Sequence, residues 1–236
     1  MTARIVAVVV AVLIGVVAGG LVDRLIEWSL RGRDDLDDGE HGQIVSHLAM
    51  WSLAFSWVKA QRRTAMIVLT AVLYGVTVWA LGASLAAVAT FFYIAVGLAL
   101  TYTDFTYYLL PDRIVLPAIA GTIVLEVAAH PAIWSSILLG AAGGFVLFLL
   151  LAIVGRGALG GGDVKLMAYV GAATGLVGMV QSVALGAVVA ALVVLILWRA
   201  KLVGFRQHSY IPYGPYFIWA AFALTIISNL PRPLAL

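Results

Sequence analysis

The chain has 236 residues, 64% hydrophobic and only 11% charged, with a formal net charge of +3 and a mean hydropathy of +1.09. An ordinary soluble domain is about 45–50% apolar and about 25% charged. A water-soluble globule is therefore excluded, and so is a disordered chain. The lack of any cysteine excludes a disulfide scaffold and a cysteine-ligated zinc site. Long apolar runs make the fold all-α, a polytopic membrane helix bundle and not a barrel.

Hydropathy predicts about eight transmembrane helices, over 5–22, 65–81, 84–103, 114–129, 133–154, 166–180, 182–198 and 213–229. The stretch from Leu166 to Trp198 carries no charge over 33 residues, long for one span and short for two. Gly175, Gly178 and Gln181 offer a turn there. Splitting the stretch with the N-terminus outside leaves only Arg4 and Arg232 of the fourteen basic residues outside. That is the bias expected when positive charge stays in the cytoplasm. Without the split, Arg199, Lys201 and Arg206 would fall outside. The apolar start behind Arg4 has some features of a signal peptide, but an uncleaved span fits the charge pattern better.

Two regions follow: 1–64, a first helix plus a cytoplasmic loop, and 65–236, a seven-helix membrane domain. The loop begins with an acidic stretch from Asp34 to Glu40, and its part from His47 to Arg63 is rich in aromatics, as in an amphipathic interfacial helix. Gly140/Gly144 and Gly171/Gly175 have the small-xxx-small spacing of closely packed helices. His41, His47, His130 and His208 are scattered without metal-ligand spacing. Glu126 and His130 read as interface residues at the outer end of the fourth span.

Acids at span ends are informative, because an aspartate at a helix centre costs about 2.5–3.5 kcal/mol on insertion scales. Asp104 ends the third span, where the helix dipole disfavours an anion. Pairing with Arg113 is one reading of it. Asp112 follows Pro111 and precedes the fourth span, so helix capping is its default reading. Asp163 follows Gly160-Gly161-Gly162 and opens the sixth span, where a capping role is again the plain alternative. Lys165, two positions on, points elsewhere and need not neutralise Asp163.

These patches resemble the type IV prepilin peptidase family of intramembrane aspartic peptidases. The resemblance rests on Asp104 with Leu110-Pro111-Asp112, on Gly160-Gly161-Gly162-Asp163-Val164-Lys165-Leu166, and on Ile211-Pro212-Tyr213-Gly214-Pro215-Tyr216, and runs from about residue 85 to 225. It implies that Asp104 and Asp163 are the catalytic pair. It also implies a prepilin-like membrane protein as substrate, with a short basic leader, a glycine at the cut and an apolar helix beyond it. The active site would face the cytoplasm at the cell membrane, with the bilayer as the other partner and no nucleic acid involved.

Two carboxylates sharing a proton supply both a base for water and an acid for the leaving amine. The helix dipole would make Asp163, at a helix N-terminus, the resting base and Asp104 the resting acid. Neither a metal nor a cofactor is expected for this chemistry. Well-known members carry paired cysteines in the first loop, which this chain lacks. Bifunctional members also methylate the new N-terminus with S-adenosylmethionine; nothing from Asp23 to Thr64 reads as a methyl-donor site, so that cofactor is expected only if this chain is also a methyltransferase. A glycine-rich loop at Gly160–Gly162 suits an extended substrate strand, and the acidic stretch would attract a basic leader. An ion-coupled transporter with Asp104, Glu126 and Asp163 as a relay is the contrasting class, and a non-catalytic pilus-assembly scaffold is another.

Overall fold

The computed structural model describes residues 2–31, 61–155, 159–199 and 212–230. Its described elements are helical: α1 (Thr2–Leu30), α2 (Arg62–Leu81), α3 (Leu85–Tyr107), α4 (Asp112–Ala129), α5 (Trp134–Val154), α6 (Gly161–Arg199) and α7 (Gly214–Asn229). A 3₁₀ turn, Pro131–Ile133, leads into α5. The acidic stretch, the aromatic part of the first loop up to residue 60, His41, His47 and His208 lie outside the described residues.

Local chemistry sets several helix ends. The Ser84 hydroxyl accepts the Ala87 N–H at 3.2 Å and caps α3. Tyr108 closes α3 in the left-handed region, with φ 51°. Pro111 precedes α4 and Pro215 lies in the first turn of α7, where a missing N–H costs nothing. The helices run a little beyond the expected spans, and α1 extends to Leu30 through Asp23, Arg24 and Glu27.

Five described segments are long and apolar enough to cross a membrane: Thr2–Leu30, Arg62–Leu81, Leu85–Tyr107, Pro131–Val154 and Gly161–Ile196. The last is not one straight rod. Gly175 has φ 68° and ψ −178°, a non-helical conformation inside α6. The arm before it, residues 161–174, is about 21 Å long at 1.5 Å per residue. Gly175 and Gln181 share a cavity with Glu126 and Asn229. Further on, Val194 and Trp198 share another with Leu159 and Leu151, beside the start of the first arm. The chain therefore doubles back at Gly175, and the two arms run antiparallel. Of the three candidate turn residues, the first makes the break.

Both arms touch α5 and α7, but their closest contacts differ. The first packs on α5, where a Cβ on Gly140 or Gly171 would strike the other residue's backbone. The small-xxx-small spacing thus marks a real close approach. The second packs on α7, with Gly186 under Phe217. At the centre lies α3, which contacts α1, α2, α4 and α7. Tyr93, Ile94, Leu98, Ala99 and Leu100 are all buried along it. Tyr169 Oη donates to Tyr93 O at 2.7 Å and Tyr93 Oη to Ile218 O at 3.0 Å, so α6, α3 and α7 are joined in sequence. Outward faces are apolar: Val6, Leu13, Val124, Val146 and Leu192 are exposed. Such surface suits lipid and would aggregate in water.

Candidate active site

Asp104 and Asp163 line one cavity of about 690 Å³. The chain reaches it by two short segments. One is the last turn of α3 and the connection from Tyr108 to Pro111; the other is the glycine run and the first turn of α6. In sequence the two aspartates are 59 positions apart. Folding of the first arm of α6 against α4, and of α7 against α3, brings them to the same end of the bundle.

Asp104 is only 6% exposed. Its Oδ2 is buried and accepts no well-formed hydrogen bond among the described residues, although the Gly214 backbone N–H approaches the carboxylate. A buried carboxylate oxygen without a well-formed hydrogen bond is costly, so its position calls for a role beyond packing. The Arg113 partner is not found: Arg113 Nη1 donates to the Arg31 carbonyl at 3.2 Å instead. Gly214 presses on Asp104 from the start of α7, where a Cβ would lie 2.8 Å from Oδ2. Only a residue without a side chain fits there.

Asp163 is half-buried and is the third residue of α6, not its cap, because Gly161 and Gly162 already belong to the helix. Its N–H donates to the Gly160 carbonyl at 3.1 Å. Gly160 also borders the carboxylate, with a Cβ there 3.5 Å from Oδ2. The first helical turn leaves backbone N–H groups without intrahelical partners, a setting that favours an anion. Tyr108, at the end of α3 beyond Asp104, also lines the cavity. Burial, and then the nearby Asp104 carboxylate, push its phenol above the ordinary value, so it stays protonated at neutral pH.

Asp112 does not cap α4 through its side chain; Pro111 holds the cap position and Asp112 is the first helical residue. Its carboxylate receives Lys165 Nζ at 2.7 and 2.8 Å. Lys165 thus turns away from Asp163, as its spacing implied. Glu126 lies in the last turn of α4, at the other end of the bundle, in a separate cavity; it is only 9% exposed and pairs with His130 Nδ1 at 3.1 Å. Asp104 and Asp163 therefore share a cavity that Glu126 does not enter. Sequence reasoning assigned no role to Gly214 or Tyr108. The Pro-Tyr-Gly-Pro run from Pro212 to Pro215 was the signal available for Gly214.

Residues 91–196, which hold both aspartates, match the model of the type IV leader peptidase family. This segment belongs to that family. Among curated relatives, the prepilin leader peptidase/N-methyltransferase of Burkholderia pseudomallei (strain 1026b) is 32% identical over 156 residues, covering 64% of this chain and 49% of the relative. The protein of the same name from Stutzerimonas stutzeri is 30% identical over 178 residues, covering 73% and 51%. That of Bacillus subtilis (strain 168) is 33% identical over 87 residues, covering 36% and 34%. The chain spans about half the length of the first curated relatives it matches. No solved structure matches it. The apolar helices and this similarity together support a multi-pass membrane protein.

Proposed function

We propose that the chain is an intramembrane aspartic endopeptidase that removes the short basic leader of prepilin-like proteins, with Asp104 and Asp163 as its catalytic pair. The observation that carries this reading is the shared cavity, with a buried and unpartnered Asp104 Oδ2 facing a second carboxylate segment. In the proposed reaction Asp163 takes a proton from water as the water oxygen adds to the scissile carbonyl carbon. Asp104 gives its proton to the carbonyl oxygen. On collapse of the tetrahedral intermediate the C–N bond breaks, Asp163 gives the proton it took from water to the leaving amine, and a hydroxyl of the intermediate returns its proton to Asp104 as the carboxylic acid forms. Because the pair titrates as a unit, the base and acid roles describe its dominant microstate.

The same reading places eight spans in the cell membrane, with the N-terminus outside and the cavity at the cytoplasmic surface. The reversal of α6 at Gly175 supports the two spans drawn from that helix. A peptide bond between a leader and an apolar helix would sit at that depth. The peptidase step requires no cofactor in this scheme. Methylation with S-adenosylmethionine is not part of this proposal. The transporter reading loses support because Glu126 lies in a different cavity from the aspartates.

The test is cleavage, in membranes, of a substrate with a basic leader, a glycine at the cut and an apolar helix. The parent should cleave, and Asp104→Asn and Asp163→Asn should each lose at least about 10³-fold, since residues acting as a unit fail singly. Cleavage surviving in either variant would remove the pair from the mechanism. A folded parent that cleaves no leader substrate would return the scaffold reading to the front.

A further inference from the structure

The proposed chemistry needs Asp163 held in register with Asp104, yet the residues before Asp163 are three glycines. Glycine brings no side-chain contacts and loses the most backbone freedom on folding. Two ties cross from this run to the segment that carries Asp104. Leu110 packs on Gly162, where a Cβ would lie 3.1 Å from Leu110 Cβ. The second tie is ionic: Lys165 Nζ donates to both oxygens of Asp112, at 2.7 and 2.8 Å, across 53 positions.

The placement of this ion pair is specific. Lys165 lies two residues beyond Asp163 in α6, and Asp112 is the first residue of α4, joined by four residues to the end of α3. Both partners line the cavity. The other cation lining it, Arg113, is engaged with the Arg31 carbonyl. The Asp112 and Lys165 side chains are 57% and 33% exposed. Exposed pairs contribute little to global stability. What this pair adds to the apolar packing of α4 on the first arm of α6 is a directional tie at the mouth of the cavity.

We propose that Lys165 and Asp112 form a positioning strut: their ion pair holds the first turn of α6 against the first turn of α4 and so sets Asp163 opposite Asp104. The inference rests on the peptidase reading above. Neither residue touches the reacting atoms in this scheme. Both act through Asp163, where a misplacement of about 1 Å costs about 10²-fold in rate.

The test combines kinetics with a distance. With the leader substrate in membranes, Lys165→Met and Asp112→Asn should each lower kcat about 10- to 100-fold with little change in KM, the pattern of a lost transition-state alignment. Tm should hardly move, since the pair is exposed. The exchange Asp112→Lys with Lys165→Asp should recover most of the loss. The chain has no cysteine, so spin labels at Leu116→Cys on α4 and Gly161→Cys on α6 report one distance. Both sites are exposed. The distribution should be narrow in the otherwise unaltered chain and broad with Lys165→Met added. An unchanged distribution overturns the strut. So does an exchange that fails while the single variants are impaired, because Lys165 would then act in its own right. A parent that cleaves nothing sinks the peptidase reading alone, and the label distance still decides the strut.

Discussion

Gly214 stands against Asp104 so closely that a Cβ there would lie 2.8 Å from Oδ2 and 2.9 Å from Leu166 Cδ2. The two residues are 110 positions apart and meet where α7 begins beside the last turn of α3. Gly214→Ala should therefore displace the carboxylate, because Leu166 is fully buried and has no room to yield. The expected result is a kcat loss of about 10- to 100-fold in leader cleavage. A Gly214→Ala enzyme with parental kcat would show that Asp104 tolerates the shift.

Arg62 ties the first two helices to each other and to α3. Its Nε donates to Asp23 Oδ1 at 2.5 Å and its Nη2 to Glu27 Oε1 at 2.6 Å, while the guanidinium lies 5.7 Å from the Tyr102 ring centre. Asp23 is only 7% exposed. Arg62→Ala would strand a buried carboxylate, at a cost of about 2–3 kcal/mol. Adding Asp23→Asn should return part of that, because the stranded charge and not the lost attraction carries most of the penalty. Thermal unfolding in detergent of the two variants checks this. Equal Tm values would argue that the Tyr102 contact matters more.

What could be read in the sequence followed physical rarity. In a chain this apolar, an acid at a span end stands out, so Asp104 and Asp163 were visible as candidates before any packing was known. Close helix approach was visible too, because Gly140/Gly144 and Gly171/Gly175 leave room that nothing else explains. Partner identity was not legible. Arg113 and Lys165 are both near in sequence to candidate acids, yet one takes the Arg31 carbonyl and the other Asp112. Those pairings depend on how α1, α4 and α6 meet, which no local period encodes. The burial of Glu126 was not legible for the same reason: it comes from neighbours remote in sequence, α7 among those lining its cavity. The capping reading of Asp112 and the alternative capping reading of Asp163 miss the cap by one and three positions, within the uncertainty of helix ends read from sequence.

The stacked tyrosines of the core offer a cleaner stability test. Tyr93 and Tyr169 have ring centres 4.8 Å apart and nearly parallel planes, at 9°. Both hydroxyls are spent on backbone carbonyls, those of Ile218 and Tyr93. Tyr169→Phe keeps the stack and deletes one hydrogen bond, so it should cost about 1 kcal/mol. Leader cleavage at a temperature well below Tm should remain parental, because the tie lies away from the cavity-lining residues. A large kcat loss with an unchanged Tm would mean that this tie tunes the site and not only the bundle.

Gly175 separates two causes of strain at the reversal of α6. Its φ of 68° with ψ of −178° lies in a region that is essentially glycine-only, where a side chain costs about 1–3 kcal/mol. A Cβ there would also lie 2.8 Å from Ser136 Oγ. That hydroxyl accepts the Leu176 N–H at 3.3 Å and so serves the start of the second arm. Gly175→Ala should destabilise the protein through both effects, and Ser136→Ala alone through the lost acceptor, by about 1 kcal/mol. In the double variant the clash is gone but the backbone strain remains. Thermal unfolding should therefore leave the double variant well below Ser136→Ala. If the two unfold together, the clash alone governs the position, and another residue would serve the reversal once Ser136 is shortened.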